Sequence, residues 1–338
     1  MSALILHRTG PGNSVQDLGR PGFLAFGVSR GGAADTLALA EGAALLGQPV
    51  NTAALELVAP LEAEATADLR IALTGAPMRA LLDGKPLAWN AVHALPRGAR
   101  LALSPSGTGV YGYLHVGGGI DTPPVMGSRS AHLAAGLGRA LEPGDRLPTG
   151  PDSRPDAVNL CLPAEPRFDG GTLRVVAGPQ TAFFAEAEIA RFQTTAFRKD
   201  ARANRMGARL APDGAGFHSE AGLSVISEVI TPGDIQVPGD GAPFVLLAEC
   251  QTTGGYPRLG TVLPADLPRV VQASPGAILR FRLIDLDEAL DATRKEARRR
   301  AGLRSLLRPL VRDPADIRDL LRYQLIGGVT AGDDLERP

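Results

Sequence analysis

Cysteine is nearly absent: the 338 residues hold two, Cys161 and Cys250. Two thiols build neither a disulfide framework nor a thiolate zinc site. Histidine is scarce as well, and the five (His7, His93, His115, His132, His218) show no HxxxH ligand spacing, so no metal site is expected. Aromatic residues make up only 4% of the chain, and no apolar run reaches the ~18 residues a bilayer span needs. The opening MSALILHRTG is too short and polar for a signal peptide. With a formal net charge of −1, nothing global attracts nucleic acid or an anionic membrane. A cytoplasmic protein with no nucleic-acid and no membrane partner is expected. Neither a GxxxxGK[ST] phosphate loop nor an AMKM-type biotinyl motif is present.

Glycine and proline, by contrast, are plentiful. The 41 glycines and 28 prolines punctuate the chain often, which favours many short strands over long helices. The length and the 44% apolar content suffice for two cores.

Residues 244–263, FVLLAECQTTGGYPRLGTVL, hold the densest chemistry. A short apolar run reads as a buried strand, stops at Gln251-Thr252-Thr253-Gly254-Gly255-Tyr256-Pro257-Arg258, and a second apolar run follows. Adjacent glycines permit positive φ and close approach of a ligand to the backbone. A carboxamide, two hydroxyls, a phenol and a guanidinium beside them exceed what a plain hairpin turn needs.

The rest of the chain repeats this alternation of strand and glycine-rich loop. Gln16, Asp17 and Arg20 lie within VQDLGRPG, where Asp17 and Arg20 either pair locally or face a cleft, with Arg20 as an anion clamp. Asp35 is placed to cap a helix running to Leu46, ended by Gly47 and Pro49. Glu56 sits between leucines and needs a buried partner, Arg20 or Arg30. VYGYLHV at 110–116 reads as an internal strand entering GGGIDTPPVMGSRS, whose Ser128, Arg129 and Ser130 serve a turn or an anion. Residues 148–169, rich in proline and aspartate, read as a linker or a surface crossover. Asn204 and Arg205 open NRMGARL, and strands continue to about Leu283. A basic helical tail follows, its second helix begun by Asp313-Pro314.

QTTGGYP with GDIQVPGDGAPFVLLAE before it, VQDLGRPG, GGIDTPPVMGSRS and GPQ at 178–180 together resemble the KipA family. That family is also known as the C subunit of 5-oxoprolinase, urea amidolyase-related protein or allophanate hydrolase subunit 2, and it includes the carboxyltransferase domain of biotin-dependent urea carboxylase. The resemblance covers roughly residues 3–286. It implies a mainly β fold of two cyclophilin-like β-barrel domains, 1–165 and 170–286, with a helical tail at 287–338. It further implies a subunit of an ATP-dependent hydrolase opening 5-oxo-L-proline, inactive alone. Its partners would be a B-type (KipI-like) and an A-type lactam hydrolase subunit, with ATP and Mg as cofactors. The alternatives are a urea carboxylase-like carboxyltransferase, for which biotin would be needed, and a non-catalytic regulatory binding partner.

Arg205, Gln251, Tyr256 and Arg258 are expected to be catalytic. Asp17, Arg20, Ser128, Arg129, Asn204, Thr252, Thr253, Gly254 and Gly255 are expected to hold the substrate. The arginines would grip phosphate, and Arg258, where relatives commonly carry lysine, would be an exposed loop side chain whose loss spares stability. The chain departs from the family pattern in two places. SRGGAAD at 29–35 replaces PPSGAMD, and Asn204 replaces an acid. Asn204 is expected to hydrogen-bond Arg205.

Overall fold

The computed structural model describes residues 2–311. Its first half is a pair of sheets. One runs in the spatial order Arg146–Pro148, Ala3–Thr9, Leu61–Ala65, Arg100–Pro105, Met78–Leu82, Lys85–Pro86. The other runs Ser14–Gln16, Ala54–Leu57, Gly112–Val116, Leu69–Gly75, Val92–Leu95. Alternating side chains such as Leu4 and Leu6 on one sheet and Leu55, Leu57, Ile71 and Leu73 on the other meet in one core.

The second half is a closed seven-stranded barrel. Its order is Gly171–Val176, Arg258–Val262, Asp234–Gln236, Phe244–Leu246, Gly207–Pro212, Phe197–Lys199, Ile278–Ile284. The seam between its first and last strands is a parallel pair, Gly171 opposite Leu279 through Val176 opposite Ile284. The scarce aromatics are concentrated here. Phe192, Phe197, Phe217 and Phe281 are all buried, with the Phe192 and Phe281 rings stacked at 4.6 Å.

Four α-helices accompany the sheets among the described residues: α1 (Thr36–Leu46), α2 (Glu186–Thr194), α3 (Leu267–Gln272) and α4 (Leu286–Ala301). The Asp35 carboxylate caps α1 as expected, accepting from the Leu37 and Ala38 N–H groups, and Gly47 ends it in the left-handed conformation at φ 64°. Asp35 also binds the Arg167 guanidinium at 2.8 Å, and Arg167 forks onto Glu41. The segment 148–169 is therefore a pinned crossover, with Arg167 buried at its end. Burial pushes the Lys199 ammonium down to about 7, yet its Nζ donates to the carbonyls of Val270, Val271 and Ala273 at the end of α3.

The tail folds back. Leu303, in a turn of 3₁₀ helix after α4, buries itself against Leu37 and Ala40 of α1. Arg308–Pro309 pairs with Leu160–Cys161. The second tail helix expected from Asp313 falls outside the described residues. No helix among those described is long and apolar enough to cross a membrane.

Candidate functional site at the seam between the halves

The two halves are joined by buried polar groups as well as by apolar packing. Arg205 lies between them. Its Nε donates to Glu249 Oε1 at 2.6 Å, Nη2 to the Gly32 carbonyl at 2.6 Å, and Nη1 to Glu56. Burial alone would lower its pKa, but the Glu56 and Glu249 carboxylates outweigh burial and raise it. Glu56 in turn accepts from the Tyr113 hydroxyl at 2.6 Å and the Ala34 N–H at 2.7 Å. Its partner is thus Arg205, from the other half, and neither Arg20 nor Arg30. Asn204 does not reach Arg205, because its Oδ1 caps the Met206 N–H at 2.8 Å. Two glutamates hold the guanidinium instead.

Above this joint lies a cleft of about 580 Å³. The first half contributes Gly27, Ser29 and His132, and the second Met206 and residues 249–253. Ser29 Oγ and His132 Nε2 are 2.8 Å apart. The Ala135 N–H donates to His132 Nδ1 at 3.2 Å, so the ring proton sits on Nε2 and is given to Ser29. Burial holds the His132 pKa below its usual value against the pull of Glu249, with Arg20 and Arg205 adding to the lowering. His132 is therefore a neutral donor at this wall, and the Ser29 hydroxyl is free to point its own proton elsewhere. Gln251, Thr252 and Thr253 line the same cleft, and none of their side chains hydrogen-bonds within the described residues.

A second pocket of about 280 Å³ opens on the other side of Met206, Cys250 and Gln251. Asn204, Gln236, Phe244 and Tyr256 line it. Burial, with Asp234 nearby, pushes the Cys250 thiol up to about 12, so it is a neutral wall group and no nucleophile.

Arg258 lies elsewhere. It begins a barrel strand instead of ending a loop, and its guanidinium holds Glu228 at 2.5 Å and Asp234 at 3.0 Å. The Gln180 carboxamide joins this group, accepting from the Arg258 N–H and donating to Glu228. Gly254 and Gly255 do not adopt positive φ. A Cβ on Gly254 would meet Gln236 Nε2 at 2.4 Å, and one on Gly255 the Val225 carbonyl at 3.1 Å. These glycines admit Gln236 and the chain's own segment at 225–230.

In the first half, the Asp17 carboxylate organises residues 128–130, accepting from Ser128 Oγ at 2.6 Å, the Arg129 N–H at 2.7 Å and Ser130 Oγ at 2.5 Å. Arg20 is buried and donates to the carbonyls of Ser130 and Val125, while Nη1 has no partner among the described residues. Burial lowers its pKa against Asp17 and Glu249. Arg129 pairs with Asp121 at 2.5 Å. Of the four arginines expected to grip phosphate, Arg20 and Arg205 both act on Glu249 and His132, while Arg129 and Arg258 are held by other carboxylates. Glu249, Ser29 and His132 escaped the sequence reading. Glu249 carried the one usable signal, an acid inside an apolar run just before the Gln251 loop.

A sheet pair fused to a closed barrel, with a polar cleft at their joint, is the architecture of a carboxyltransferase-type domain. The family described as carboxyltransferase domain, subdomain A and B, matches residues 26–283, and the chain belongs to it. The chain is 36% identical over 296 residues to the C subunit of 5-oxoprolinase from Escherichia coli (strain K12), covering 86% of this chain and 94% of that protein. Among solved structures, TTHA0988 superposes with a TM-score of 0.75 at 33% identity, over 83% of this chain and 56% of that one. Urea carboxylase of Kluyveromyces lactis superposes with a TM-score of 0.77 at 24% identity, over 92% of this chain and 31% of that one, a likeness of fold.

Proposed function

We propose that the chain is the C subunit of an ATP-dependent hydrolase that opens 5-oxo-L-proline to L-glutamate, acting with A-type and B-type partner subunits. The observation that carries this reading is the near full-length match to the C subunit of 5-oxoprolinase, 94% of that protein, against 31% of the urea carboxylase chain. A carboxyltransferase needing biotin and two further domains in trans is the less economical account of a match to a separate subunit.

On this reading the labour is divided between the subunits. A lactam carbonyl is a poor electrophile, and phosphorylating its oxygen makes it attackable by water, which demands cations around the phosphate. The seam cleft offers hydroxyls, a carboxamide, a neutral histidine and a carboxylate, while the guanidinium beside it, Arg205, is committed to Glu56 and Glu249. These residues do not fit a triphosphate with its metal ion, and on this reading the partner binds ATP and Mg. The chain contributes the polar wall that holds the lactam, with Gln251, Thr252 and Thr253 orienting it and the Ser29 hydroxyl, which accepts from His132 Nε2, donating a hydrogen bond to it. In an assay of 5-oxoproline-dependent ATP hydrolysis, the chain alone is expected to be silent and the co-expressed complex active. Turnover by the purified chain unaided, or a complex that turns over only with bicarbonate and a biotinylated carrier, overturns the reading.

A further inference from the structure

A groove between α1 and the end of α4 belongs to no site described so far. It holds about 490 Å³ and shares no lining residue with the seam cleft. Its floor is built of small side chains, Ala40, Ala43 and Ala44 from α1 and Ala301 from α4. Ala43 joins none of the apolar clusters of the core, so its methyl is left to the groove. The polar lining consists of donors. Arg300 and Arg304 bring guanidiniums. Gln48 gives its Oε1 to the Gly118 N–H and keeps its amide protons to offer. Thr36 Oγ1 accepts from Arg300 Nη1 at 3.1 Å and keeps its own proton. No acidic side chain among the described residues lines the groove.

At one edge of the groove, Gly47 ends α1. A Cβ there would lie 2.9 Å from Arg154 Nη1 and 3.5 Å from Arg304 Nη2, so two guanidiniums overhang one backbone point. Neither side chain has a hydrogen-bond or ion-pair partner among the described residues. The negative end of α1 favours a cation at this place, but it amounts to only about half an elementary charge. Acids on the same segments are already engaged, Asp152 by Arg70 and Glu296 by both Arg299 and Arg300. Positive charge is therefore in surplus over a groove that offers donors and no acceptor charge.

We propose that this groove is a second ligand site, taking a small organic phosphate monoester. Its phosphate sits between Arg304, Arg154 and Arg300, and its apolar body lies along the alanine floor. Guanidiniums arriving from the crossover, α4 and the turn after it surround a tetrahedral dianion better than a planar carboxylate. No carboxylate is present to hold the metal ion of a triphosphate, so the ligand is a monoester and no Mg-nucleotide. The site is independent of the proposed function.

Calorimetric titration and thermal melts of the full chain with phenyl phosphate, inorganic phosphate and benzoate test it. Phenyl phosphate is expected to bind most tightly, to raise the melting temperature, and to bind more weakly as salt is added. Arg304→Gln and Arg154→Gln should each weaken it tenfold or more, with the unliganded melting temperature unchanged because both side chains are exposed. Ala43→Leu fills the floor, so it should cost phenyl phosphate its advantage and leave inorganic phosphate binding as before; Ala43→Met serves if the leucine variant misfolds. Gln251→Ala, in the seam cleft, should change nothing. The proposal is overturned by a wild type that does not bind phenyl phosphate, by benzoate binding as tightly, or by equal affinity in Arg304→Gln. Weakened binding in Gln251→Ala puts the ligand in the seam cleft and overturns it too.

Discussion

At the scale of single residues, the side chains most sensitive to substitution are those whose loss strands a buried charge. Arg205→Ala leaves Glu56 and Glu249 facing each other without a cation, both almost wholly buried. A loss of about 3–5 kcal/mol is expected, read as a lowered denaturation midpoint. Arg258→Ala abandons Asp234, which keeps only the Thr261 hydroxyl and the Thr231 N–H. Its cost is about 1–3 kcal/mol, where the sequence suggested almost none, since the side chain sits among barrel strands and not at a loop tip. An unshifted melting temperature in Arg258→Ala contradicts the ion-pair account. Histidine sets the acid limit. Burial takes His115 down to about 3, and it is held neutral against Thr74. An unfolded chain binds that proton near pH 6.5 while the folded one refuses it, so stability falls as pH drops below about 6.5. The slope this one residue adds is about 1.4 kcal/mol per pH unit. His132 contributes in the same direction. Denaturant midpoints for His115→Gln between pH 7 and pH 4 should show a flatter decline than wild type.

Elements whose reasons are local were legible, and those set by distant partners were not. The cap and stop of α1 are written in Asp35 and Gly47, and the alternation in 69–73 and 279–283 marks true strands. The short helix α3, LPRVVQ, has no such signature, and much of its anchoring is tertiary: Lys199 caps its end and Gln272 bonds the Tyr111 carbonyl and the Val110 and Tyr111 N–H groups. The Gln251 loop was legible as a polar stretch because its side chains outnumber what a turn uses. What its glycines face was not, since Gln236 and the 225–230 segment arrive from elsewhere in the chain. The tail lies beyond the family resemblance, and its docking rests on Leu303 against Leu37 and Ala40 of α1 and on Arg299 at Glu165. A chain ending at 289 is expected to fold cooperatively and to melt lower, having lost about 1.5–3 kcal/mol from Leu303 alone. Loss of the sigmoidal transition shows instead that the tail is part of the core.

Taken as a whole, the molecule looks bipartite in sequence and behaves as one body in its interactions. Ala38, Leu39, Tyr111 and Tyr113 of the first half share a core cluster with Leu247 and Val271 of the second. Asp35 reaches both Arg167 and Gln272. Calorimetry should therefore give one transition, and residues 1–165 expressed alone should lack a sharp one, since Ala38, Leu39, Tyr111 and Tyr113 then lose the apolar partners they pack against. Two resolved transitions argue for independent halves. The parallel seam of the barrel has a consequence for how the chain is made. Synthesis proceeds from the N-terminus, so the strand Gly171–Val176 emerges long before its partner Ile278–Ile284. Until that last strand leaves the ribosome, the barrel stays an open sheet with two unpaired edges. The first half waits beside it with its seam face uncovered, and the nascent chain is most prone to aggregation just before its final strand arrives.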